Sequence, residues 1–125
     1  MALDIYLSDT HSKEVFFEAD GYYFFLYPLF EDLAQQTGQM IDLYNDALFE
    51  NASLQNLKST LEKAKQLIQA QPDEWDVVTG WTDQTKKTPT HDKVSKERFQ
   101  KLLDEFSQLV DTAIKAGKPI KCVGD

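Results

Sequence analysis

The chain has one cysteine, one arginine, two histidines, four prolines and five glycines in 125 residues. Each scarcity excludes something. The lone Cys122 cannot close an internal disulfide, and Met1-Ala2-Leu3-Asp4-Ile5 has neither the basic region nor the apolar run of a secretion signal, so a reducing cytoplasm is the expected location. Gripping a phosphate backbone depends on clustered Lys and Arg, so a pI near 4.7 and a single arginine argue against nucleic acid as a partner. The same electrostatics disfavour anionic membrane surfaces. The longest strongly apolar run, Tyr22 to Phe30, contains Pro28 and is far shorter than the roughly 20 residues that span a bilayer.

Catalytic signatures are equally scarce. The glycines stand singly, so there is no phosphate loop, nucleophile elbow or dinucleotide fingerprint. His11 and His91 are not in metal-ligand spacing, and no zinc site is expected. No catalytic residue, metal or cofactor is therefore assigned from the sequence, and a non-enzymatic role is the favoured reading.

What the chain does have is an uneven distribution. The first 53 residues hold ten carboxylates and one base, Lys13, with all five tyrosines and six of the eight phenylalanines. The other 72 hold eleven acids and twelve bases, so the net charge of -8 belongs to the N-terminal part. An acidic, aromatic segment of this kind suggests binding to something positive. At 14.4 kDa and 42% apolar residues, the composition is that of one globular domain covering residues 1 to 125.

Residue pattern predicts the elements. Leu3, Ile5 and Leu7 alternate with Asp4 and Tyr6, giving a strand over residues 2 to 7. Ser8 to Lys13 reads as a loop and residues 14 to 19 as a second strand. Asp20-Gly21 fits either a hairpin turn or a helix cap, and Pro28, tolerated in a first helical turn, places the first helix from about Leu26 to Thr37-Gly38. Ile41 to Glu50 is ambiguous in type. Ser53 caps a helix to about residue 70, with Leu54, Leu57, Leu61, Ala64, Leu67 and Ile68 on its apolar stripe. Trp75, Val77, Thr79 and Trp81 mark a strand, and the polar residues 82 to 94 read as a long exposed loop. Ser95 caps a helix whose stripe runs from Phe99 to Ile114 and which Gly117 and Pro119 end, before a last strand reaching Val123. The expected fold is α+β: a mixed or antiparallel sheet of about four strands with three helices packed on it.

Several residue sets invite a functional reading. Asp42, Asp46 and Glu50 would share one face if their segment were helical, a geometry for a divalent cation or for general acid chemistry. The Ca²⁺ loop pattern is absent, since Ala47 and Ser53 occupy the positions of its glycine and glutamate, so an acidic edge is the plainer reading. His91 beside Asp92 could act as a base toward Ser95 or Cys122, against the ordinary alternatives of a solvated histidine and a core cysteine. Lys86, Lys87, Lys93, Lys96, Arg98 and Lys101 form a basic stretch that is either a solvated face or a group able to fold back onto the acids. The aromatic run cannot all be buried unless covered on both sides, which leaves Tyr22, Tyr23, Tyr27, Glu31, Asp32, Asp42, Tyr44 and Asp46 as the expected binding residues.

The opening MALDIYL, the central TGQMIDLYND and the final VGD resemble a group of small bacterial proteins, a resemblance that implies no activity. In size, acidity and α+β make-up the chain is also similar in style to immunity proteins of toxin systems, which implies a protein partner, such as a basic toxin domain. The leading expectation is a protein-binding module using an acidic-aromatic surface. The alternatives are a small hydrolase built on Asp42 and Asp46, and a homodimer that buries the aromatic run.

Overall fold

A computed structural model describes residues 3–7, 15–17, 20–42, 44–81 and 89–124. In chain order the elements are β1 (Leu3–Leu7), β2 (Val15–Phe17), α1 (Asp20–Thr37), β3 (Asp46–Phe49), α2 (Ala52–Gln69), β4 (Glu74–Trp81), β5 (Pro89–Ser95), α3 (Lys96–Ala116) and β6 (Ile120–Gly124). Four strands form an antiparallel sheet in the order β2-β1-β6-β3, and β4 pairs with β5 in a separate antiparallel hairpin. The expected α+β class is what the structure shows. Among the described residues no helix is long and apolar enough to cross a membrane.

Alternation explains the larger sheet. Leu3 and Ile5 of β1, Val15 and Phe17 of β2, Ala47 and Phe49 of β3, and Ile120 and Cys122 of β6 all point inward and are buried. The intervening Tyr6, Lys121 and Leu48 remain partly or largely solvated, as one face of an antiparallel sheet can be. The helices cover the buried face. Leu57, Leu61, Ala64 and Ile68 of α2 and Phe99, Leu103, Phe106, Val110 and Ala113 of α3 complete one continuous core. On the outer side, α2 and α3 are joined by ion pairs between Lys58 and Asp111 at 2.9 Å and between Lys65 and Asp104 at 3.2 Å.

The structure corrects the expected helix starts. The helix expected near Leu26 begins at Asp20, so Asp20-Gly21 is neither a hairpin turn nor followed by a strand. Pro28 lies inside α1 and removes the hydrogen bond to Phe24, at a cost of about 3 kcal/mol. Burial of Tyr22, Tyr23 and Leu26 in the two turns before it offsets that cost, since each large apolar side chain contributes about 1.5–3 kcal/mol. The helix start is also held from a distance, because the Gly21 N–H donates to Asp92 Oδ2 of β5 at 3.0 Å. In α2 the N-cap is Asn51, and Ser53 lies within the first turn, where its hydroxyl donates to the Glu50 carbonyl and accepts from the Glu50 N–H. Leu67, expected on the buried stripe, is exposed.

Two further expectations change. The ambiguous stretch Ile41 to Glu50 contains β3, with a bend at residues 44 and 45 before it. The loop expected over residues 82 to 94 is a strand from Pro89, with Asp92 opposite Val77 and Val94 opposite Trp75. Residues 82–88 of that loop, with Lys86 and Lys87, lie outside the described residues, as do His11 and the loop at residues 8–13. The expected caps at Ser95 and Gly117 are present: the Ser95 hydroxyl accepts from the Arg98 N–H, and Gly117 adopts the left-handed conformation.

Candidate functional site

Between α1 and the segment that leads into β3 lies a cleft of about 430 Å³, lined by Tyr23, Phe24, Tyr27, Glu31, Ala34, Gln35, Met40, Asp42 and Tyr44. One wall is a single face of α1. Tyr23, Tyr27, Glu31 and Gln35 recur every fourth residue, so the helical repeat stacks them one above another. The other wall follows from how α1 stops. Thr37 bonds back to the Leu33 carbonyl, and Gly38, at a φ of 78°, donates to the Ala34 carbonyl, turning the chain across the end of the helix. Residues 39–42 and 44 then lie along the α1 face.

Four hydrogen bonds fix this second wall. The Tyr23 hydroxyl donates to the Ile41 carbonyl at 2.8 Å, inside the core. Asp42 Oδ1 accepts from the Tyr44 N–H at 2.9 Å, and Asp42 Oδ2 accepts from Asn45 Nδ2 at 3.3 Å. The carboxylate is thus held at a turn, with the Tyr44 ring, 63% exposed, beside it. The Gln39 side chain accepts from the Leu48 N–H at 3.0 Å, tying the segment to the outer edge of β3. Burial raises the Tyr23 pKa well above the usual tyrosine range, and the negative charge of Asp42, then of Tyr27 and Glu31, pushes it the same way. Tyr23 therefore stays protonated and remains a donor.

Five of the eight expected binding residues meet in this cleft: Tyr23, Tyr27, Glu31, Asp42 and Tyr44. Three do not line it. Tyr22 is a core residue, its ring edge-on to Phe99 at 4.9 Å and its hydroxyl accepting from the Ser95 N–H. Asp32 is exposed on α1, one residue around the helix from Glu31, and Asp46 is exposed on β3 opposite Val123. Phe24, Ala34, Gln35 and Met40 complete the lining; Phe24 belongs to the aromatic run and Gln35 continues the four-residue spacing, whereas nothing in the sequence marks Ala34 or Met40.

The other candidate sets are separated or occupied. Asp42 sits in a turn and Asp46 in a strand, so the shared helical face proposed for Asp42, Asp46 and Glu50 does not form. Among the described residues there is no group of three or more His, Cys, Asp or Glu placed to hold a metal ion. His91 is exposed on β5, whereas its neighbour Asp92 is directed at Gly21. Ser95 is committed to its cap, and Cys122 is fully buried, where desolvation raises its thiol pKa. Lys96 donates to the Gln69 carbonyl, so this member of the basic stretch serves the end of α2.

Comparison with protein-family models, curated proteins and solved structures found no match to this chain.

Proposed function

We propose that the chain is a protein-binding module whose partner is basic, with the cleft between α1 and the segment carrying Met40, Asp42 and Tyr44 as the recognition site. The observation that carries this reading is the placing of Glu31 and Asp42, from separate segments, around tyrosine rings in a cleft whose described lining includes no Lys, Arg or His. Acidic rim and aromatic wall together suit a cationic surface, since tyrosines supply contact area and the carboxylates supply complementary charge. A basic toxin domain is one partner of that chemistry, so an immunity role falls within the reading. Self-association through the same face is disfavoured, because a second copy brings another net charge of -8 and the same two carboxylates.

The test is capture of a partner from host extract by the native protein and by Glu31→Gln and Tyr44→Ala variants, at low and high salt. The Debye length falls from about 10 Å at 0.1 M salt to about 3 Å at 1 M, so an electrostatic partner is lost at high salt. Both variants are expected to reduce capture. A partner retained equally by all three proteins and at both salts would overturn the reading.

A further inference from the structure

The cleft has a shape as well as a charge. Its volume of about 430 Å³ is enough to receive an organic side chain in an open cleft. Along α1 the rings of Tyr23 and Tyr27 come first and Glu31 follows one turn later, about 6 Å further along the axis at 1.5 Å per residue. Phe24, Ala34 and Met40 add apolar lining, and Asp42 and Tyr44 face the helix from the second wall. An elongated ligand with an apolar stem and a cationic head matches this order.

Ring geometry narrows the head group. The Tyr23 ring meets Tyr27 at 6.1 Å and 68°, and Phe24 at 5.4 Å and 80°. These rings support one another and leave Tyr27, 38% exposed, open on its outer side. Tyr23 and Tyr27 line one wall of the cleft and Tyr44 the other, so the cleft lies between the two sets of rings. A flat cation that stacks on a ring while bonding carboxylates in its own plane fills such a space. Guanidinium does both; ammonium is a compact point charge that holds its water more strongly and has no flat face.

Resting on the binding function above, we infer that the cleft receives a single arginine side chain of the partner. Its guanidinium stacks on tyrosine and pairs with Glu31 and Asp42. Asp42 arrives preorganised, because the Tyr44 N–H and Asn45 Nδ2 already fix its two oxygens while their remaining lone pairs stay available. Holding that carboxylate before binding lowers the ordering cost of the complex.

The test uses the full chain and three blocked tripeptides, Ala-X-Ala, in which X is arginine, lysine or the neutral isostere citrulline. Binding is followed through the backbone amide resonances of Gln35 and Tyr44. The arginine peptide is expected to bind at least about threefold tighter than the lysine peptide, and citrulline at least about tenfold weaker than arginine. Tyr44→Ala and Glu31→Gln, both at exposed positions, should each weaken arginine binding by roughly three- to tenfold without altering the thermal melt. Equal affinity for lysine and arginine, citrulline binding as tight as arginine, or arginine binding unchanged in Tyr44→Ala would overturn the inference. If no peptide shifts the cleft resonances while a salt-sensitive, Glu31-dependent partner is still captured, the arginine assignment fails and the binding function stands. If that capture also fails, both fall.

Discussion

The Tyr23 hydroxyl, on α1, donates a 2.8 Å hydrogen bond to the carbonyl of Ile41, eighteen residues further along the chain. It joins the two walls of the cleft from below, between two buried residues. Tyr23→Phe keeps the ring contacts with Phe24, Tyr27 and Phe30 and removes only the donor. The Ile41 carbonyl is then left buried without that partner, and a loss of about 1–3 kcal/mol is expected in urea unfolding. The amide resonance of Tyr44 should move in the same variant, because the segment that carries it loses its anchor. An unchanged unfolding midpoint would mean that the bond contributes nothing net.

Two buried acids make the fold sensitive to alkali. Desolvation raises the folded pKa of Cys122 above its ordinary 9.0, and burial with nearby negative charge raises that of Tyr23 above its ordinary 10.0. For groups raised on folding, the native state binds the proton more tightly, so their contribution is complete below the unfolded pKa and declines as pH rises past it. Stability should hold to about pH 8.5, then fall by about 1.4 kcal/mol per pH unit above pH 9 for Cys122 and by a similar further slope above pH 10 for Tyr23. Urea midpoints from about pH 8 to pH 11 measure this, and Tyr23→Phe should lose only the second slope. Lys58, raised by its hydrogen bond to Asp111 and by that residue's charge, acts in the same direction at an exposed site.

How much of this is legible in the chain depends on whether the deciding contact is local. β1, β4, α3 and β6 can be read because Leu3 and Ile5, Trp75 and Val77, Phe99 through Ala113, and Ile120 and Cys122 repeat with the period of their own element. β5 cannot, since Thr90, His91, Asp92 and Lys93 show no apolar alternation and its pairing is supplied by β4. The start of α1 is hidden for a similar reason: Pro28 imitates a first-turn proline, and the burial that outweighs its cost involves residues of β5 and α3. In the cleft, the tyrosines and acids are visible as composition. Which acid faces inward is decided by the Asp42 turn, and the parts played by Gln35 and Met40 exist only once the chain folds back.

The contact between Gly21 and β5 leaves no room for a side chain at that position. A Cβ on Gly21 would lie 2.8 Å from Asp92 Cβ and 2.8 Å from Val94 Cγ1, both on a paired strand beneath it. Gly21→Ala should therefore destabilise by about 1–3 kcal/mol despite alanine's better helix propensity. Asp92→Ala removes the acceptor of the Gly21 N–H and should cost about 1 kcal/mol, as loss of a helix cap does. If alanine at position 21 proved neutral or stabilising in thermal or chemical unfolding, the close docking of α1 on β5 would be wrong.

Asn51 offers the opposite case, a residue whose backbone prefers a different side chain. Its φ of 54° and ψ of -126° fall in a region that glycine occupies readily and other residues rarely do. It lies in the tight turn where the Ser53 N–H donates to the Glu50 carbonyl at 3.1 Å, and as N-cap of α2 its side chain makes no capping bond. Replacing Asn with Gly therefore forfeits no cap and relieves a conformation that costs on the order of 1–3 kcal/mol. The more flexible unfolded chain takes back part of that gain, about 0.4–1 kcal/mol. Asn51→Gly should stabilise by about 1 kcal/mol, seen as a higher urea midpoint with an unchanged slope. Asn51→Ala, which keeps the strain, should show no such gain, and that contrast separates backbone relief from any effect of removing the amide.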